Sequence, residues 1–130
     1  MPYRENIFEN DDSPLVGVRL LNPHDESKAI DTIAIMDSGA SYSLFNGIFC
    51  QDLGINLTLG RPKNFIGLAG SLKGYIHQVI IEIEGEQFKC DVAFSEQNIS
   101  RNLVGRFSLF EKIRIGIQGR HRLLFFHPAP

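Results

Sequence analysis

Between Tyr75 and Phe94 apolar side chains recur at almost every second position: Tyr75, His77, Val79, Ile81 and Ile83 face one way, Glu84-Gly85 turns the chain, and Phe88, Cys90, Val92 and Phe94 return. A helix would scatter these side chains around its circumference, whereas a strand collects them on one face. The segment therefore reads as a β-hairpin. Shorter alternations flank it. Val16, Val18 and Leu20 form one, followed by a loop of turn formers over residues 22–28 and a return strand from about Ala29 to Met36. Ile30, Ile33 and Ile35 make that return strand apolar on both faces, which predicts burial on both sides. Near the end, Ile113, Ile115 and Ile117 pair with Leu123–Phe126 around Gln118-Gly119-Arg120. Helix is confined to residues 46–54, with Asn46 as N-cap, an Ile48/Phe49/Leu53 face and Gly54 past its end, and to a turn near 108–112. Many short strands with one or two short helices predict an all-β barrel or sandwich without internal repeats.

With 130 residues, 43% of them hydrophobic, the chain has material for a single core. Residues 1–14 are polar and aperiodic and end at Ser13-Pro14, so they read as a flexible lead-in to one domain spanning 15–130. A net charge of -2 and the absence of a basic run exclude a nucleic-acid footprint. The start carries no basic and apolar leader and no apolar run reaches membrane-span length, which predicts a cytoplasmic protein that does not engage a membrane. Cys50 and Cys90 lie in apolar surroundings and read as reduced, buried thiols, the alternative being one disulfide between them. His24, His77, His121 and His127 are scattered, so neither a metal nor another cofactor is expected.

The segment that carries chemistry is Ala34-Ile35-Met36-Asp37-Ser38-Gly39-Ala40-Ser41. Asp37 emerges where a buried strand ends, and a carboxylate in such a place is costly unless partners satisfy it. Asp-Ser-Gly taken alone is ordinary turn chemistry, with the acid bonding backbone amides. Its surroundings say more. A small-residue stretch follows it, and about 65 residues later Asn102-Leu103-Val104-Gly105-Arg106 repeats the pattern of an apolar pair ahead of a tight turn.

Together these segments resemble the retropepsin-like aspartic peptidases, the single-domain family that includes the retroviral proteases. Asp37-Ser38-Gly39-Ala40 matches that family's Asp-[Thr/Ser]-Gly-Ala, Leu103-Val104-Gly105-Arg106 its second signature, and Phe65-Ile66-Gly67-Leu68-Ala69-Gly70-Ser71 its glycine-rich flap in position and texture. The chain departs at two places: Ser41 stands where the retroviral enzymes carry a second acid that pairs with the signature arginine, and Phe107 replaces a polar residue.

The resemblance implies a small closed barrel of the acid-protease type and an aspartic endopeptidase acting on a peptide or protein substrate. Asp37 would carry the chemistry, with Ser38 bracing its loop across a two-fold axis and Gly39 admitting substrate backbone. Ala40, Ser41, Tyr42, Leu103 and the flap residues Gly67, Leu68, Ala69 and Gly70 would line the cleft. Gly105 would permit close packing beneath the loop, and Arg106 would brace the fold. Peptide hydrolysis by this route needs two carboxylates, one acting as base toward water and one as acid toward the carbonyl. The chain holds only one Asp-Ser-Gly, so the second acid would come from a second copy in a homodimer. A retropepsin-shaped dimerisation or peptide-binding module without turnover is the reading from another functional class. Leu123–Phe126 would then be either a closing core strand or part of the dimer sheet.

Overall fold

The computed structural model describes residues 15–37, 40–67, 70–105, 113–118 and 123–128. The expected lead-in, the helical turn near 108–112, and Ser38, Gly39, Leu68, Ala69, Arg106 and Phe107 lie outside them. Nine strands follow one another in the described chain: β1 (Leu15–Asn22), β2 (Asp25–Met36), β3 (Leu44–Asn46), β4 (Arg61–Gly67), β5 (Gly70–Ile83), β6 (Glu86–Ser95), β7 (Asn102–Val104), β8 (Ile113–Gln118) and β9 (Leu123–Pro128). One α-helix, α1 (Phe49–Leu53), and a single 3-10 turn at Leu57–Leu59 sit between β3 and β4. The fold is all-β, as the alternation predicts.

Seven strands bond in the order β1-β2-β7-β3-β6-β5-β4, and β1 also pairs with β5, so six of them close into a ring and β4 hangs from β5 at its edge. Closure satisfies the strand edges that an open sheet would leave bare. The long strand β5 makes the ring and the overhang together. One of its edges runs along β6 from Gly74 to Ile83, while the other is shared, Gly70–Ile76 with β4 and Ile80–Glu82 with β1. Strands β8 and β9 form a separate antiparallel pair, the pairing expected from the sequence, with Ile115 opposite Phe126 and Ile117 opposite Leu124.

Inward alternation builds the core. Val16, Val18 and Leu20 from β1, Val79, Ile81 and Ile83 from β5, and Cys90, Val92 and Phe94 from β6 meet Phe45, Leu53 and Val104, all nearly or wholly excluded from solvent. Tyr75 is also buried, and Phe88 packs against the cluster from a half-buried position. Both cysteines are buried, and no disulfide joins them. Burial pushes the Cys50 thiol up to about 12, because a thiolate there would lose its hydration.

Three local expectations are corrected. β2 is not buried on both sides. Only Ala34, Ile35 and Met36 are buried and Ile33 is 37% exposed, because β7 flanks just those last three residues. The first hairpin also turns more sharply than predicted: β2 begins at Asp25, and a register shift beside Leu21 and Asn22 absorbs residues 26–28 within the strand. Finally, Asn46 does not cap the helix. It ends β3, donating from Nδ2 to the Ile99 carbonyl, while Ile48 occupies the N-cap without a side-chain bond and points outward, leaving Cys50 and Leu53 as the buried face of α1.

Candidate active site

Asp37 stands at the exit of β2, one residue past Met36. β2 and β7 run parallel there, Met36 beside Val104, and the Asp37 amide donates to the Val104 carbonyl at 3.0 Å. The loop then folds on itself, with the Ala40 amide donating to the Asp37 carbonyl at 3.1 Å. Two segments far apart in sequence, each carrying half of the sequence signature, are thus bonded side by side. Asp37 is half-buried, in reach of both core and solvent.

The other end of the loop is fastened from beneath. Ser43 is fully buried; its hydroxyl accepts the Gly105 amide at 3.1 Å, and its carbonyl accepts the Ala93 amide at 2.9 Å. Gly105 has no room for a side chain, since an added Cβ would lie 2.8 Å from the Ala40 carbonyl oxygen and closer still to that of Tyr42. This agrees with the expectation that a glycine lets β7 pack under the loop. Nearby, Asn102 ties three strands together: its Oδ1 accepts the Asn46 amide at 3.0 Å, and its Nδ2 donates to the Thr32 hydroxyl and the Ile33 carbonyl, both at 3.1 Å.

The β4–β5 hairpin reaches over this loop. Its register closes with Gly67 opposite Gly70, and Gly70 takes a φ of 122°, a conformation glycine tolerates and most residues do not. Tyr42 meets Phe65 edge to face, with ring centroids 5.8 Å apart and planes at 82°. Lys63, two residues before Phe65 and so on the same strand face, holds its Nζ 4.9 Å from the Tyr42 ring centroid and 5.8 Å from that of Phe65. Phe65 in turn covers Gly74 on the neighbouring strand, where an added Cβ would come within 3.1 Å of its ring.

Of the residues expected at the site, Asp37, Ala40, Ser41 and Tyr42 share one loop, Leu103 lies on β7 beside Ile35 and Leu44, and Gly67 and Gly70 face each other on the overhanging hairpin. Ala40, Tyr42 and Leu103 are half-buried and Ser41 is exposed. Ser43 and Lys63 are not among the expected site residues, and Phe65 is expected only as the start of the flap segment, not as a contact of the loop. The period-two placement of Lys63 and Phe65 marks a common face, but only the fold puts Tyr42 opposite it. Among the described residues, no group of His, Cys, Asp and Glu side chains is arranged to hold a metal ion, and no helix is long and apolar enough to cross a membrane.

No protein-family model matches the chain, and no curated protein matches it in sequence. Solved structures match it in fold. The EIAV protease complexed with the inhibitor HBY-793 aligns with a TM-score of 0.54 at 18% identity, covering 78% of this chain and 88% of that one. The fold is retropepsin-like. At this identity the likeness is one of architecture, and what the Asp37 loop does must be argued from its own residues.

Proposed function

We propose that this retropepsin-like chain is an aspartic endopeptidase that hydrolyses an extended peptide with water activated by Asp37 and the same residue of a second copy. The observation that carries the reading is the placement of Asp37: it leaves the barrel on a backbone bond to Val104, in a loop overhung by the β4–β5 hairpin. A loop fastened from below and covered from above suits a cleft that must hold a peptide still and limit water. Two carboxylates meeting at the axis would supply the acid and the base of the reaction together. Within this reading Ser38 and Gly39 complete the catalytic loop, Ala40, Ser41, Tyr42 and Leu103 form cleft walls, and Gly67, Leu68, Ala69 and Gly70 form the cover. The chemistry calls for neither a metal nor a covalent intermediate.

The test is digestion of a mixed unfolded protein substrate by wild type and Asp37→Asn from about pH 4 to 7, where general acid and base catalysis by carboxyl groups can be followed from acidic to neutral conditions. Products are identified by mass spectrometry and oligomeric state is measured in the same samples, since dilution below the dimer dissociation constant would silence a competent enzyme. Cuts made by wild type alone are the expected result. A confirmed dimer that binds peptides and cuts none would replace the peptidase with a peptide-binding module.

A further inference from the structure

The strand that overhangs the Asp37 loop presents a positioned cation. Lys63 is half-buried, its ammonium lies over the faces of Tyr42 and Phe65, and both rings are themselves fixed against each other. Aromatic faces attract an ammonium without neutralising it. A lysine that only covered apolar surface would send its head to solvent; this one is held at the junction of the loop and the hairpin. No carboxylate among the described residues lies within ion-pair distance of it. Asp37 is the acid among the described residues of the loop beneath and forms no ion pair with Lys63, and Ala40, Ser41, Tyr42 and Ser43 are uncharged. Gly74, opposite Lys63 across the β4–β5 pair, adds no side chain to compete for the space.

We infer that Lys63 is a specificity-determining residue that selects peptides carrying an acidic side chain at the position passing beside its ammonium, at the edge of the Tyr42–Phe65 pair. The inference rests on the reading of the 37–43 loop and the β4–β5 hairpin as two walls of a peptide cleft. Recognition is by charge at a point fixed by two rings. An aspartate or glutamate gains an ion pair there, a glutamine gains none, and a lysine meets repulsion.

The experiment measures binding of labelled extended peptides to full-length Asp37→Asn, which retains the cleft without turnover. The peptides differ only in Glu, Gln or Lys, placed at each position in turn, and each set is measured again with Lys63→Glu and Lys63→Met added. Cleavage of the same peptides by wild type runs in parallel. At one position Glu should bind about fivefold more tightly than Gln, and Lys more weakly than either, the size expected of a partly exposed ion pair. Lys63→Met should level the series and Lys63→Glu should invert it. Inversion is a result that simple damage to the fold does not produce. Equal binding of the three peptides, or a Glu preference that survives both substitutions, overturns the inference. A Glu preference that responds to Lys63 in a wild type that cuts nothing would remove the peptidase and leave the inference standing, whereas cleavage without charge preference would remove the inference alone. Failure to bind any peptide removes both.

Discussion

The hydroxyl of Ser43 accepts the amide proton of Gly105 at 3.1 Å, with both residues buried. That bond joins the end of the Asp37 loop to the end of β7, adding a side-chain tie to the backbone bond between Asp37 and Val104 that already links the two halves of the sequence signature. Replacing Ser43 by Ala would leave the Gly105 amide without its acceptor in a place water does not reach, at a cost of about 1–3 kcal/mol. Chemical denaturation of wild type and Ser43→Ala should show this loss as a lower midpoint with an unchanged slope. If the loop feeds catalysis, the variant's activity should fall at temperatures where it is still folded.

The contact between Tyr42 and Phe65 should be separable from the rest of the fold. An edge-to-face pair contributes about 1 kcal/mol beyond its buried area, so a double-mutant cycle with Tyr42→Leu and Phe65→Leu should return a coupling of that size in stability. A coupling near zero would mean that the hairpin does not rest on the loop in solution.

If the second carboxylate comes from another copy, inactive chains should poison active ones. At constant total chain concentration, replacing about three-quarters of the wild type by Asp37→Asn and allowing exchange should leave about one-sixteenth of the activity, the fraction of dimers with two intact acids. Activity that falls only in proportion to dilution, to about one quarter, would show that each chain works alone.

Cys50 should be inert in the folded protein. Its thiol is pushed up to about 12, so it stays protonated across the range in which thiol reagents act, and alkylation at mildly alkaline pH should require unfolding. The sign for stability follows. The unfolded thiol ionises near its ordinary value of 9.0 while the folded one holds its proton, so the unfolded chain binds fewer protons between there and about pH 12. Stability contributed by this group is complete below pH 9.0 and is lost as pH climbs through that window. Cys50→Ala should flatten that decline.

The parts of the fold visible in sequence are those held by their own periodicity. β5 and β6 pair along ten residues of each strand, and their inward faces are spelled out in alternating apolar side chains. β3 and β7 have three residues each, too few for any period, and exist because each finds a partner more than 45 residues away: β3 lies parallel to β6, and β7 lies parallel to β2. β4 hides for a different reason. Pro62, Lys63 and Asn64 look like loop, yet a strand bonded along one edge tolerates a proline whose missing amide faces outward. Asn46 shows the opposite error, since a residue suited to start a helix instead serves β3 through its side chain. At the site, Asp37 and Gly105 could be singled out by neighbouring residue types, whereas Lys63 became interesting only once Tyr42 and Phe65 were seen to hold it.

The division of labour along β5 has a mechanical consequence. Ile80–Glu82 are gripped on both edges, by β1 and by β6, and act as the embedded root of a beam; Gly70–Leu72 bond to β4 alone and form its free end. Flexing that end bends a two-stranded ribbon without drawing any stave from the barrel. Substitutions at the root therefore lower the stability of the whole molecule, while those at the free end change how far and how readily the beam deflects.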